Sequence, residues 1–127
     1  AKEIPGARLT PHSTDGATAT AEALQSSQVV IAAGAAGIGL ASAADLARAA
    51  DLRVAIDLNA VPPLGLEGIE VTDRAVERNG RIDYGAIGVG GTKMKIHKAA
   101  LRRLFESNDQ VLDAEAIYAI GAAIDGR

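Results

Sequence analysis

Apolar residues along this chain form short, unbroken runs and do not alternate with polar ones. Three such runs occupy residues 29–33, 54–56 and 85–89, each flanked by glycine, proline or acidic residues. Continuous apolar stretches of this length are typical of strands that are buried on both faces of a parallel sheet. The pattern therefore predicts three buried strands, the third of them running from about Tyr84 to Val89.

Segments rich in alanine and leucine separate these runs. Residues 17–27 and 41–50 predict helices on either side of the first strand, with Thr14 or Asp15 as the start of the earlier one. Ser42 is suited to cap the later helix. A further short strand is predicted at residues 7–10.

The C-terminal part predicts two more helices, over residues 93–107 and 113–123, the second of which is amphipathic. Between the second and third strands the chain is less regular, because the prolines at 62–63 cannot continue a helix and the Asn-Gly pair at 79–80 favours a turn. Strands and helices thus alternate. This order predicts an α/β domain with a parallel sheet flanked by helices.

Composition excludes several classes of function. The 127 residues suit one domain with its own core. The three aromatic residues and a net charge of −3 give little for a nucleic-acid surface, so no nucleic acid is expected as a partner. No apolar run reaches the roughly 18 residues of a membrane span, so no membrane association is expected.

The chain contains no cysteine, which excludes thiol nucleophiles and thiolate metal sites and is compatible with a reducing cytoplasm. His12 and His97 lack the spacing of a metal motif, so no metal is expected. The first residue is Ala1 and not methionine, which suggests that residues upstream are absent from the sequence.

Glycine-rich segments follow the first and third predicted strands. Residues 34–39 match a dinucleotide fingerprint only partly, because a fingerprint that begins at Gly37 needs its third glycine where Ser42 stands. Asp57 lies about where the acidic residue that binds the ribose would be. Residues 88–93 could cradle a phosphate or form a glycine-rich turn whose lysines are solvated. Both interpretations stay open. A minimal Rossmann domain that binds phosphate through residues 34–39 is a further alternative.

Groups for acid–base catalysis are few, since no carboxylate is separated from a histidine or a second carboxylate by a spacing that is typical of a catalytic pair. No catalytic side chain is therefore expected. Hydride transfer suits such a chain, because the reacting atoms belong to the bound molecules and the protein supplies orientation and electrostatics.

Three motifs carry a family resemblance. They are D-x-N-A-x-P-P-L-G from Asp57, G-x-G-G-x-K-x-K-x-H from Gly88 and L-F-E-S from Leu104. In this order and spacing they resemble the NAD(P)-dependent methylene-tetrahydromethanopterin dehydrogenases of methylotrophic bacteria, and more distantly the methylene-tetrahydrofolate dehydrogenases. The stretch at residues 29–42 is similar more loosely, and residues 1–27 only weakly.

The resemblance implies the second half of a Rossmann-type NAD(P)-binding domain. Residues 1–127 would form the C-terminal, nicotinamide-side part, and the N-terminal substrate domain and glycine fingerprint are absent. It implies an oxidoreductase that oxidises methylene-tetrahydromethanopterin, or methylene-tetrahydrofolate, to the methenyl form in cytoplasmic one-carbon metabolism. The isolated chain would be inactive. Implied cofactor-binding residues are Gly34, Ala35, Asp57, Asn59, Gly88, Gly90, Gly91 and Lys93, and Lys95 would contact the substrate.

The choice between NADP and NAD, and between methanopterin and folate substrates, stays open. Expected partners are the pterin substrate, the missing N-terminal domain in cis or in trans, and further copies in a homo-oligomer. The alternative is a non-catalytic nucleotide-binding or interaction module, or one subunit of a split dehydrogenase.

Overall fold

The fold is a four-stranded sheet with helices, seen in a computed structural model that describes residues 5–15 and 18–124. The sheet order is β1-β2-β4-β3; β1, β2 and β4 are parallel, and β3 pairs antiparallel with β4. The elements are α1 (Ala19–Leu24), β1 (Val29–Ala32), α2 (Ala43–Arg48), β2 (Val54–Asp57), β3 (Arg74–Arg78), β4 (Arg81–Tyr84), α3 (Ala86–Leu104) and α4 (Ala114–Ile124). This confirms the predicted α/β class with a mainly parallel sheet, as in half of a Rossmann domain.

Helix α2 forms the crossover between β1 and β2, as the sequence predicted. The Ser42 hydroxyl accepts a hydrogen bond from the Asp45 backbone N–H (3.2 Å), and the Asp45 carboxylate accepts one from the Ser42 backbone N–H (3.0 Å). This reciprocal pair satisfies free donors at the start of the helix. The predicted cap is confirmed.

One face of the sheet carries the hydrophobic core. Leu24 from α1 and Leu46 from α2 pack over Ala32 and Ala55, the inward residues of β1 and β2. The rest of the core cluster is Ala41, Ala49, Leu52, Leu66 and Ile69. Helices α1 and α2 therefore cover this face, which we call the covered face.

The opposite face, which we call the open face, is also apolar. Its side chains form two rows across the three parallel strands, Val29–Val54–Ile82 and Ile31–Ile56–Tyr84. Val29, Ile31 and Ile82 are 53%, 57% and 41% exposed. Parallel sheets are normally buried on both faces, so the helices of the described residues cover this second face only in part.

The predicted strand at 84–89 is wrong. Strand β4 ends at Tyr84, and the apolar run after Gly85 begins α3. A short apolar run has no period that separates a strand from a buried helix segment. The central strand is instead the polar sequence Arg-Ile-Asp-Tyr, whose charges are neutralised by pairing within the sheet.

Other boundaries differ as well. The strand expected at 7–10 is not formed, and α1 begins after Thr18, later than the predicted start at Thr14 or Asp15; residue 17 lies outside the described residues. Strand β3 was not expected because its sequence is mostly charged. The Asn-Gly turn is confirmed between β3 and β4, with φ of +52° at Asn79.

Helices α3 and α4 form a hairpin beside the sheet. Helix α3 has no buried residue, and Ile96 on it packs against Gly121 of α4. The final helix is confirmed close to its predicted limits. Within the described residues no helix has both the length and the apolar character to cross a membrane.

An ion-pair network allows charged residues to build β4. Asp83 is fully buried and accepts hydrogen bonds from Arg81 Nε (2.7 Å) and Arg78 Nη1 (3.4 Å). Asp73 accepts two from Arg78, from Nη1 (2.6 Å) and Nη2 (3.1 Å). Because each buried carboxylate faces a guanidinium, the cost of removing the charges from water is offset.

The hydrogen bond from Arg78 holds the pKa of Asp73 below its ordinary value of 3.8. A lowered pKa means that this stabilisation is fully present above about pH 4 and is lost as the pH falls through the folded-state pKa. We expect Asp73→Asn to reduce the free energy of unfolding at neutral pH, and the difference from wild type to shrink on acidification. Urea unfolding at several pH values measures this. Glu77→Gln, at an exposed position on β3, is the control; an equal loss from both variants would contradict the pairing.

Candidate functional site

The candidate site lies at the edge of the sheet where the carboxyl ends of β1, β2 and β4 meet. In open α/β sheets, ligands bind at this edge, in the crevice beyond the strand ends. Three segments form it here: residues 33–40 after β1, residues 58–66 after β2, and the first turns of α3.

Asp57, the last residue of β2, anchors this edge. Its side chain is only 1% exposed, and its two carboxylate oxygens accept hydrogen bonds from the backbone N–H groups of Asn59 (2.9 Å) and Leu66 (2.7 Å). The carboxylate thus fixes both ends of the 58–66 segment. Asp57 acts on this edge through the backbone it holds.

Asn59 joins the two loops. It is buried, and its side-chain amide donates to the carbonyl oxygen of Ala35 (3.1 Å) in the loop after β1. The carbonyl oxygen of Gly65 accepts hydrogen bonds from the backbone N–H groups of Leu40 (2.8 Å) and Ala41 (3.1 Å). The sequence-predicted residues Ala35, Asp57 and Asn59 are therefore brought together.

Two glycines allow this close packing. A Cβ at Gly65 would lie 2.9 Å from the Cβ of Ala32 and 3.1 Å from Asp57 Oδ1, so a larger residue would displace the carboxylate. At Gly34, a Cβ would lie 3.0 Å from Leu40 Cδ1. Gly34 and Ala35 are otherwise exposed, so this loop presents small side chains and backbone at the surface.

The glycines of the third segment lie in a helix and not in the expected loop. Gly88, Gly90 and Gly91 are in the first two turns of α3. A Cβ at Gly88 would lie 1.7 Å from the carbonyl oxygen of Asp73, and one at Gly85 would lie 1.9 Å from that of Glu70. Gly85 and Gly88 therefore let α3 lie directly on the backbone that leads into β3.

Gly90 and Gly91 differ from Gly88, because a Cβ at either position would meet no atom within 4 Å. They leave part of the α3 surface without side chains, which we call the bare patch. Lys93 and Lys95 follow on the same helix with exposed side chains. The glycine-rich loop, for which a phosphate cradle and a turn with solvated lysines were both open, is thus replaced by an exposed helical surface of glycine followed by lysine.

Sequence reasoning missed four residues at this edge. They line a cavity of about 250 Å³ together with Gly88 and Val89, and they are Ile56, Tyr84, Arg74 and Thr92. Arg74 could not be recognised from the sequence because the strand that carries it was not predicted.

A larger cavity of about 520 Å³ lies between residues 39–42 and 63–70. There Glu67 Oε2 accepts a hydrogen bond from the Ala43 backbone N–H (2.8 Å).

The strand order, the crossover and this edge define half of a Rossmann-like domain. No family model matches the chain. It is 33% identical over 107 residues to the NAD(P)-dependent methylenetetrahydromethanopterin dehydrogenase of Methylorubrum extorquens, a match that covers 82% of this chain and 36% of that protein. It is 42% identical over 98 residues to the bifunctional protein MdtA of the same organism, covering 77% and 34%.

These matches confirm the resemblance that the motifs indicated. The chain is a relative of this NAD(P)-dependent methylenetetrahydromethanopterin dehydrogenase and of the bifunctional protein MdtA over the matched segment. It spans about a third of the length of the curated relatives that it matches.

Asp57→Asn tests the anchoring of the edge. An amide has one oxygen in place of two acceptor oxygens, so one of the backbone donors at Asn59 and Leu66 loses its partner, at a cost of about 1–3 kcal/mol. We expect a lower free energy of unfolding and faster amide hydrogen exchange at Leu66. Asp51→Asn, in an exposed turn, is the control. Unchanged exchange at Leu66 would contradict the anchoring role.

Gly88→Ala and Gly90→Ala should have opposite effects on stability. The Gly88 variant forces α3 off the backbone of Asp73, and overpacking of this kind costs about 1–3 kcal/mol. The Gly90 variant enters open space and gains up to about 1 kcal/mol from helix propensity. Chemical denaturation of both variants compares them directly. Equal destabilisation would show that Gly90 is also packed.

Proposed function

We propose that this chain is the C-terminal, nicotinamide-side part of an oxidoreductase that transfers hydride from methylene-tetrahydromethanopterin to NAD(P), giving the methenyl form. Methylene-tetrahydrofolate is the alternative substrate. We place the enzyme in cytoplasmic one-carbon metabolism. The observation that carries the proposal is the edge built by Asp57 and Asn59, which lies in the motif from Asp57 that resembles the dehydrogenase family.

The residues of this edge fit a dinucleotide cofactor by their size and charge. Gly34 and Ala35 expose backbone without bulky side chains, which allows the nicotinamide ribose to approach. The bare patch at Gly90 and Gly91 leaves this part of the α3 surface open to the cofactor. We assign Asn59 to holding the Ala35 loop in position, since its amide already donates to that backbone.

Bound NAD(P) supplies the acceptor carbon for the hydride, and the chain's own residues position it. Loss of hydride leaves the methenyl product as a cation, so the step requires no proton transfer to a side chain. This agrees with an edge whose one buried carboxylate is fully engaged by backbone amides. Lys93 and Lys95 are exposed cations on α3, and we assign Lys93 to the phosphates of the cofactor and Lys95 to the anionic tail of the pterin.

The remaining part of the dehydrogenase, in cis or in trans, is the partner that we propose for the open face. Two observations support this. The curated relatives are about three times as long as the matched segment. The open face carries six apolar or aromatic side chains in two rows, a surface that a parallel sheet normally buries under helices. Homo-oligomerisation is a separate proposal, because a second copy could cover the same surface.

A fusion protein tests the function. This chain replaces the matched third of the Methylorubrum extorquens dehydrogenase, and NAD(P)H formation from methylene-tetrahydromethanopterin is measured with NADP and with NAD. We expect hydride transfer by the fusion and none by the isolated chain. Ile31→Asp should abolish it, because a charge enters the buried interface. Val111→Asp, which is 88% exposed on the α3–α4 connection, is the matched control.

A second variant of the fusion addresses the cofactor. Gly90→Leu should raise the KM for NAD(P) without lowering the unfolding free energy, because its side chain enters the space that we assign to the cofactor. A folded fusion that binds NAD(P) without transferring hydride would favour the non-catalytic nucleotide-binding module. Equal loss of activity from Ile31→Asp and Val111→Asp would argue against the open face as the interface.

A further inference from the structure

One row of side chains on the open face changes character at its end. Ile31, Ile56, Tyr84 and Arg74 are successive partners across β1, β2, β4 and β3. The row is therefore apolar, then aromatic, then cationic, and it runs along the carboxyl-end edge of the sheet. Its last three members line the cavity of about 250 Å³.

The other wall of this cavity is α3. Gly88, Val89 and Thr92 line it from the helix, and the missing side chain of Gly88 keeps the helix close to the sheet. The volume is below the roughly 300–1,000 Å³ of pockets that hold a whole drug-sized ligand. It suits one ring and not a complete dinucleotide.

Arg74 differs from its neighbours in the hairpin. Arg78 and Arg81 pair with Asp73 and Asp83, whereas Arg74 has no carboxylate within ion-pair distance among the described residues. It is also exposed. The positive charge beside the cavity is therefore available to a ligand.

The backbone at Arg74 is irregular. The β3–β4 register shifts between Arg74 and Val76, and Ala75 between them has a φ of +54°. Such bulges redirect side chains and occur often beside binding sites. Here the bulge separates Arg74 from the regular pairing that holds Glu77 and Arg78 opposite β4.

We propose that this cavity is a subsite for a single planar ring that carries an anionic oxygen group. Ile56 and Tyr84 lie against the ring, and the Arg74 guanidinium binds the anion through charge-assisted hydrogen bonds. The proposal rests on the proposed function. In that setting the anion is either the phosphate of the nicotinamide nucleotide or a carboxylate of the substrate tail.

Amide NMR of the intact 127-residue chain tests it, with two anionic probes. Nicotinamide mononucleotide offers a ring with a phosphate, and 4-aminobenzoylglutamate offers a ring with carboxylates. We expect one of them to shift the amides of Ile56, Tyr84 and Thr92. Arg74→Ala should lower the affinity for that probe about tenfold, which is the usual effect of losing one charge-assisted hydrogen bond. The probe that responds identifies the phosphate or the carboxylate as the source.

Three controls make the result specific. If nicotinamide mononucleotide is the probe that binds, nicotinamide riboside, which lacks the phosphate, should bind the wild type and the Arg74→Ala variant equally. Arg53→Ala removes an exposed arginine from the opposite end of the sheet and should leave binding unchanged. Arg74→Lys keeps the charge without the planar fork, so its affinity should lie between wild type and alanine. Thermal unfolding checks that each variant is folded.

Equal binding of the anionic probes by wild type and Arg74→Ala would overturn the proposal, as would shifts confined to other parts of the chain. The hydride-transfer assay of the fusion is independent of this result. An active fusion with no role for Arg74 would leave the proposed function standing and remove only the subsite. No binding of either anionic probe together with an inactive fusion would overturn both.

Discussion

The arrangement of this edge of the sheet depends on one buried carboxylate. Asp57 lies at the end of a central strand, and its oxygens accept hydrogen bonds from two backbone amides, those of Asn59 and Leu66, seven residues apart in the chain. A carboxylate without these partners would be costly to bury. With them, it closes the 58–66 segment over the strand end, and that segment in turn holds the loop after β1 through Asn59 and Gly65. The exposed small-residue surface at Gly34 and Ala35 is a consequence of this anchoring.

The two faces of the sheet differ in how fully the described residues cover them. The covered face contains nearly all of the buried apolar side chains and is enough to hold α1, α2 and the loops together. The open face is also apolar, and within the described residues α3 approaches it at the cavity lined by Ile56 and Tyr84, while Val29, Ile31 and Ile82 stay exposed. Each helical layer of a parallel sheet is built from its own crossover connections. This chain spans about a third of the length of its relatives and contains one such crossover, α2, in the part that the structure describes.

Ionic pairing explains how a charged hairpin joins this apolar sheet. Asp73 and Asp83 are buried, and each faces an arginine, so β3 and β4 extend the sheet without an apolar sequence. The same hairpin carries Arg74, whose charge no described carboxylate neutralises. Pairing thus stabilises one part of the hairpin and leaves one guanidinium at the carboxyl-end edge, beside the cavity formed with α3.

The sequence by itself determined the α/β class, the crossover with its Ser42 cap, the final helix and the family motif from Asp57, because these features follow from local periodicity, capping and short spacings. The tertiary structure decided the rest. Residues 84–89 have no period that distinguishes a strand from a helix, and only packing of Gly88 on the Asp73 backbone places them in α3. Strand β3 exists because it pairs with β4 and because Asp73 and Asp83, which lie outside it, neutralise Arg78. No local period reveals these contacts, and the cavity at Arg74 follows from the same strand pairing.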